Sequence, residues 1–161
     1  MVGALAAGGH VSLIVPPDHV RTILEESRRR YPEECCGALL GYADAEGRVI
    51  VDVLPIENQR LTERLTRYLI GPDDFRAADA RARAEGVEVI GFYHSHPDQP
   101  AVPSAFDREH AWPWYAYVIV PVHHGRSGVP RAWRLAEDRS RFDELEIVQR
   151  TLQPNPAKEA S

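Results

Sequence analysis

An apolar segment that ends in two histidines and a proline most constrains the fold of this chain. Residues 87–93 read VEVIGFY, mostly β-branched or aromatic, and this composition predicts a largely buried β-strand. Alternate side chains of a strand share a face, so His94 and His96 can point at one ion from the carboxyl end of this strand. Pro97 lacks an N–H group and is predicted to end the strand.

The next residues add a third candidate ligand. Residues 97–103 contain three prolines and predict a stiff, irregular loop. Ser104 is a candidate N-cap of a short helix, and Asp107 falls in its first turn, where it can face the strand end. Two imidazoles and a carboxylate without a thiolate are typical of catalytic zinc, which keeps one coordination position for water and activates it for hydrolysis. Ser104 and Asp107 also fit a capping box, and a cap and a ligand are compatible.

These residues together resemble the JAMM motif of the MPN-plus zinc metalloproteases. The motif elements are His94-Ser95-His96-Pro97, seven residues between His96 and Ser104, and then Ser104-x-x-Asp107. The family pattern also has a glutamate before an apolar strand, and residues 31–41 (YPEECCGALLG) are similar to that element. Glu34 matches the family glutamate better than Glu33 does. The resemblance covers about residues 10–136 and is closest to the small, single-domain prokaryotic branch.

The resemblance implies a fold and a set of roles. The expected fold is α/β (α+β), a mixed but mostly antiparallel sheet wrapped by helices, related to the cytidine deaminase-like architecture. His94, His96 and Asp107 would bind one zinc ion per chain. Glu34 would act as general base, and Ser104 would hydrogen-bond the developing oxyanion. A general base works best near its own pKa, and burial raises a carboxyl pKa in that direction.

The resemblance also implies a substrate class. The family cleaves peptide or isopeptide bonds after the Gly-Gly tail of ubiquitin-like proteins, and the small bacterial members are associated with ubiquitin-like sulfur carriers. Residues 57–68 are the candidate sheet edge to which such a tail adds. A non-catalytic MPN-type interaction module is an alternative, but such members lack the metal ligands. A zinc deaminase-like hydrolase acting on a small molecule is a second alternative, and its C-x-x-C signature is missing from this chain.

Composition limits the remaining classes of function. The 161 residues fit one domain, predicted at 11–150 between a flexible N-terminus (1–10) and a disordered tail (151–161). Nineteen basic and 24 acidic residues give a net charge of −5, which disfavours nucleic-acid binding. No apolar run approaches the roughly 20 residues that span a bilayer, and the N-terminus lacks the basic start of a signal peptide. These features predict a cytoplasmic enzyme without a membrane partner.

Several further residues leave two interpretations open. Cys35 and Cys36 are predicted to be small buried residues on opposite faces of a strand, although Cys36 could line the site on the face of Glu34. The pair His123-His124 suggests a second metal site, but a hairpin tip flanked by glycine is more often simply exposed. The same choice between an ordinary and a functional position applies to His110 (solvated, or a partner of Asp107) and to Trp112, Trp114 and Tyr115 (core, or a rim that faces the substrate).

Periodicity and turn residues predict an alternation of strands and helices along the chain. Strands are predicted at 11–15, 35–41, 48–54, 67–70, 87–93, 115–122 and 131–135, and helices at 16–31, 72–86, 104–110 and 138–152.

Overall fold

The computed structural model describes residues 12–57 and 70–153. Within these ranges the chain forms eight strands and three helices. The strands are β1 (Ser12–Val15), β2 (Cys36–Asp44), β3 (Gly47–Ile56), β4 (Glu88–Pro97), β5 (Ala116–His123), β6 (Arg126–Ser127), β7 (Arg131–Leu135) and β8 (Phe142–Gln149), and the helices are α1 (Pro17–Arg30), α2 (Pro72–Ala84) and α3 (Ala105–His110).

Some predictions lie outside the described residues. They are the strand at 67–70 and the substrate-binding edge at 57–68, apart from one terminal residue of each, together with the N-terminus at 1–10 and most of the tail at 151–161. Among the described residues, no helix combines the length and the apolar character that crossing a bilayer would require.

The described strands form one mixed sheet in the order β4-β2-β3-β1-β8-β7-β5-β6, and an additional pairing of β4 with β5 closes it. Five of the pairings are antiparallel and three are parallel, so the expected mixed, mostly antiparallel sheet is confirmed. Closure places β4 between β2 and β5. The strand that carries the two histidines is therefore held by backbone hydrogen bonds on both of its edges.

Two apolar layers cover the two faces of β2 and β4. Val20 and Ile23 of α1 pack in one layer with Leu39 and Tyr93. The other layer contains Ala78 and Ala82 of α2 together with Leu40 and Phe92 of the same two strands. Because alternate strand residues enter opposite layers, both faces of β4 are buried, as its nearly continuous apolar sequence predicts.

The helix predicted at 138–152 is wrong, because most of this segment is strand β8. It pairs in parallel with β1 and antiparallel with β7. Leu145 is buried, whereas Glu144 and Glu146 on either side of it are exposed, which is the two-residue alternation of a strand. The charged residues favoured a helix, but two neighbouring strands with free edges outweigh that local preference.

Candidate metal centre

The end of β4 places two imidazoles on one face of the sheet. His94 and His96 are two residues apart in the strand, and both are almost completely buried. The first turn of α3 brings Asp107, which is also buried, against them. We call these three side chains the buried centre. The chain thus brings together the three residues that the sequence singles out as ligands, although they span fourteen positions and three different local structures.

The interatomic distances within the buried centre match a metal coordination shell. Nε2 of His94 lies 3.1 Å from Nε2 of His96, and each of these nitrogens lies 3.2 Å from an oxygen of Asp107. A zinc ion bonded at about 2.0–2.1 Å to tetrahedral ligands separates those ligands by about 3.3–3.4 Å. The three side chains are therefore already spaced as neighbours around one small cation.

The hydrogen bonding of His96 supports the same interpretation. Its Nδ1 lies 2.8 Å from the carbonyl oxygen of Pro100, and because a carbonyl only accepts, Nδ1 must carry the hydrogen. When the ring carries its single hydrogen on Nδ1, Nε2 offers the lone pair that a metal ion would bind. A backbone carbonyl that fixes the tautomer of a histidine is common in metal sites.

The electrostatics of the buried centre favour the ligand forms of its side chains. Burial lowers the pKa of His94 more strongly than the neighbouring Asp107 raises it, so the ring is neutral near pH 7. Burial by itself would raise the pKa of Asp107, but His94, His96 and the Ser104 N–H outweigh it and hold that pKa well below the usual range. Neutral imidazoles and an ionised carboxylate are the forms that bind a divalent cation.

Ser104 occupies the N-cap of α3 and completes a capping box with Asp107. Its hydroxyl oxygen accepts from the Asp107 N–H at 3.1 Å, while its own N–H donates to Asp107 Oδ2 at 2.8 Å. The two interpretations of this pair from the sequence are therefore compatible in one structure. The cap holds the carboxylate in place, and the hydroxyl hydrogen of Ser104 is not used by the cap because the oxygen acts as the acceptor.

Glu34 and Glu33 differ in burial, which separates these neighbouring candidates for the base. Glu34 is 4% exposed, whereas Glu33 is only partly buried. Cys35, the next residue, is tied to β4 twice: its N–H donates to Ser95 Oγ at 2.8 Å, and its carbonyl accepts from the Ser95 N–H at 3.1 Å. Ser95 lies between the two histidines of the buried centre, so the backbone beside Glu34 is held directly against the strand that carries them.

The two cysteines are free thiols in the structure, and both are buried. Cys35 packs in the layer that contains α1, and Cys36 packs in the layer that contains α2, so they lie on opposite faces as predicted. Burial raises the pKa of Cys35 to about 12 and raises that of Cys36 further. Burial thus favours the neutral thiol form of both side chains.

The aromatic residues after α3 are more exposed than a core position allows. Trp112 is 65% exposed and Trp114 is 46% exposed, so the core interpretation is wrong for these two side chains. They line a groove of about 970 Å³ together with Phe75 of α2, Phe92 of β4 and residues of α3 and β5. His110 is exposed, as predicted, and its ring stacks on Phe106 rather than contacting Asp107.

Sequence reasoning missed two contributors to the site. The Pro100 carbonyl orients His96, but an irregular loop gives no pattern from which its carbonyl direction could be read. The Ser95 hydroxyl holds Cys35, and its position between two candidate ligands was the one available signal. The exposed pair His123-His124 was noted, but its proximity to Asp98 was not, because a parallel pairing of β4 with β5 brings them together.

Comparison with known proteins places the chain in a family. Residues 16–136 match the family of prokaryotic homologs of the JAB domain. The chain is 38% identical over 89 residues to a desampylase from Haloferax volcanii, an alignment that covers 55% of this chain and 62% of that protein. It is 31% identical over 137 residues to a desampylase from Pyrococcus furiosus (85% and 90% covered) and 34% identical over 139 residues to a probable TtuB-protein conjugate cleaving protease from Thermus thermophilus (84% of each).

Solved structures agree at the level of the fold. A protein from Desulfitobacterium hafniense superimposes with a TM-score of 0.75 at 27% identity, covering 87% of this chain and 94% of that one. A JAB1/MPN domain protein from Archaeoglobus fulgidus superimposes with a TM-score of 0.51 at 19% identity, covering 86% and 100%. Because the family match spans three quarters of its length, the chain belongs to the prokaryotic JAB domain family.

Proposed function

We propose that this chain is a zinc-dependent protease or isopeptidase that hydrolyses the bond after the Gly-Gly tail of a ubiquitin-like protein, with sulfur carriers as the substrate class. The observation that carries the proposal is the buried centre itself. Its two imidazole nitrogens lie 3.1 Å apart, each lies 3.2 Å from an oxygen of Asp107, and the side chains are held by a cap and backbone groups. A non-catalytic interaction module would have no need for this arrangement.

In the proposed site, His94, His96 and Asp107 hold one zinc ion. When bound, zinc supplies Lewis acidity that makes water acidic enough to act as a nucleophile near neutral pH. All three proposed ligands are buried, which excludes bulk water and strengthens electrostatic interactions within the site. Pro100 contributes the carbonyl that keeps the proton on Nδ1 of His96.

Glu34 is the proposed general base. Its carboxylate would accept a proton from the attacking water and donate it to the departing amine nitrogen, so the residue ends each cycle ionised as it began. Its burial and the two hydrogen bonds that fix Cys35 against Ser95 support this role, because a base must be held in one position relative to the ligands.

Ser104 is the proposed oxyanion donor. The carbonyl oxygen of the scissile bond gains negative charge in the transition state, and a fixed donor beside it lowers the barrier. The Ser104 oxygen already accepts from the Asp107 N–H, so its hydrogen can be donated to that developing charge without breaking the cap. Ser104 is partly exposed, as a group that contacts substrate must be.

The substrate class rests on the relatives and on the motif. The Thermus thermophilus relative is named as a probable protease that cleaves TtuB-protein conjugates. The other two relatives are both named desampylase, which is an enzyme name. The same family and the complete motif support a conjugate or an extended ubiquitin-like protein as substrate here. We include a cytoplasmic location in the proposal, in keeping with the prediction from the sequence.

Intact-mass spectrometry tests the proposal directly. The zinc-loaded full chain is incubated with a panel of ubiquitin-like sulfur carriers extended beyond Gly-Gly, with Glu34→Gln and chelator-treated protein as inactive controls and Glu33→Gln as the matched active control. We expect a mass loss that leaves Gly-Gly at the new C-terminus, seen only with wild type and Glu33→Gln. Loss of activity in Glu33→Gln but not in Glu34→Gln would overturn the choice of base. Bound zinc without cleavage of any carrier would refute the substrate class.

A further inference from the structure

A second group of two histidines and one aspartate lies on the surface beside the end of β4. Asp98, His123 and His124 each present a ligand atom, and these atoms all lie within 4.8 Å of one another. We call these three exposed residues the turn cluster. Asp98 Oδ1 is 3.7 Å from Nδ1 of His123, and the two imidazole centroids are 4.3 Å apart.

The backbone of the β5–β6 turn is what brings the two histidines together. Adjacent side chains of an extended strand point to opposite faces, so neighbouring imidazoles normally diverge. His123 pairs with Arg126, which leaves His124 and Gly125 as a two-residue turn with φ values of 49° and 79°. Both residues of such a turn need positive φ, a conformation that Asn and Gly adopt most readily. With His at the first position, the turn swings that ring to the side of His123.

Asp98 itself has a positive φ and contacts the turn through its backbone and its side chain. Its φ is 54°, and its N–H donates to the Val122 carbonyl at 2.7 Å. Its Oδ1 accepts from the His124 N–H at 2.9 Å, and its Oδ2 accepts from the Tyr31 hydroxyl at 2.7 Å. The carboxylate is therefore held beside the two rings by the backbone of one and by a hydroxyl from the end of α1. Non-glycine residues with positive φ are costly and concentrate at functional positions.

We propose that the turn cluster is a second metal site, which binds a divalent transition-metal ion such as zinc. Two imidazoles and one carboxylate suit zinc, copper or nickel and suit magnesium or calcium poorly, because the latter prefer oxygen ligands. The site is weaker than the buried centre, because its ligands are exposed and must be ordered by the ion. A bound ion would cross-link the β5–β6 turn to the loop after β4, the loop whose Pro100 carbonyl orients His96.

Equilibrium dialysis against zinc, with metal content measured by mass spectrometry, tests the stoichiometry on the full chain. We expect two ions per wild-type chain, one tight and one weak, and no second ion with magnesium. His124→Asn removes an imidazole while keeping a residue that suits the turn, and Asp98→Asn keeps an acceptor for the His124 N–H. Each should weaken the second ion by at least about tenfold and leave the tight one unchanged. The matched control is His110→Ala, which removes an exposed histidine elsewhere and should retain both ions.

A second measurement separates this proposal from that for the buried centre. Asp107→Asn should lose the tight ion and keep the weak one, so failure of either site is seen independently of the other. Histidine NMR of the zinc-loaded wild-type chain should show that further zinc shifts the ring signals of His123 and His124 and not that of His110. One ion per wild-type chain, a second ion that persists in His124→Asn, or unshifted signals of His123 and His124 would each overturn the proposal.

Discussion

The buried centre and the turn cluster each contain two histidines and one aspartate, but the two groups differ in the spacing and the exposure of these side chains. In the buried centre each imidazole Nε2 lies 3.2 Å from an oxygen of Asp107, and all three residues are buried. In the turn cluster Asp98 Oδ1 lies 3.7 Å from His123 Nδ1, and every residue is exposed. The carboxylate–imidazole distance is therefore longer in the turn cluster, whose exposed side chains have to be ordered before they share an ion.

The difference lies in what surrounds each set of ligands. A backbone carbonyl, a helix cap and two packed layers fix the side chains of the buried centre before any ion arrives. In the turn cluster, the backbone of the β5–β6 turn and the hydrogen bonds to Asp98 set the positions of the residues, while the imidazoles face water. Under the two proposals, the same donor chemistry would give a tight site in one place and a weak site in another, because side chains already held in position lose less conformational entropy when an ion binds.

Loss of the Asp107 carboxylate, which contacts both histidines, should have the largest effect on zinc binding and activity. Asp107→Asn removes the negative charge of the buried centre but leaves an amide oxygen that can still accept from the Ser104 N–H. We expect zinc affinity at this site to fall by at least about 100-fold, beyond the loss usual for outer-shell changes, and activity to disappear with it. Metal analysis and circular dichroism on the same sample check this. Stoichiometric tight zinc in a folded Asp107→Asn protein would contradict the ligand assignment.

Removal of the proposed base should affect turnover without affecting the metal. Glu34→Gln keeps the shape of the side chain and loses its ability to take up a proton, so we expect turnover to fall by about 10²–10⁴-fold while zinc stays bound. The measurement is kcat with a cleavable carrier, alongside zinc content. Glu33→Gln is the matched control, since its side chain is adjacent in sequence but less buried. Equal losses in the two variants would indicate a general effect of charge instead of base catalysis.

The support beneath the buried centre can be tested through Ser95. Ser95→Ala leaves the buried N–H of Cys35 without the hydroxyl oxygen that it contacts at 2.8 Å, so we expect the free energy of unfolding to fall by about 1–3 kcal/mol. Turnover should fall as well, because Glu34 directly precedes Cys35, while zinc stays bound. Ser27→Ala is the matched control: Ser27 is also buried, but its hydroxyl donates to Leu24 within α1. Urea denaturation and kcat separate these effects, and an unchanged kcat in Ser95→Ala would limit Ser95 to a structural role.

The spacing of residues in the sequence was sufficient to predict most of what shapes the buried centre. A strand places alternate residues on one face, so His94 and His96 were predicted to converge, and a cap residue placed Asp107 at the start of a helix. These are local rules, and each acts over a few residues. The same local rules failed for 138–152, where the charged residues suggested a helix but pairing with β1 and β7 produces a strand.

The features that sequence reasoning could not supply depend on contacts between distant segments. The position of Asp98 beside His123 follows from the parallel pairing of β4 with β5, and no spacing in the chain encodes that register. The exposure of Trp112 and Trp114 depends on which segments pack around them. Their aromatic character alone therefore could not show whether they are buried. The positions of side chains were therefore predictable where a single strand or helix determines them. They were not predictable where they depend on contacts between distant segments, such as the pairing of β4 with β5.

The smallest expected effect concerns the support of the turn cluster. Tyr31→Phe removes the hydroxyl that donates to Asp98 Oδ2 at 2.7 Å and leaves the ring in place. Because this contact is exposed to water, we expect no change in the free energy of unfolding that urea denaturation can resolve, in contrast to Ser95→Ala. Loss of an outer-shell partner should still weaken the second zinc ion, by about tenfold or less, and leave the tight ion unaffected. Zinc titration of Tyr31→Phe combined with Asp107→Asn isolates that change. A loss of stability as large as that of Ser95→Ala would show that the turn cluster is preorganised to the same degree as the buried centre, and the contrast between them would then have to come from burial alone.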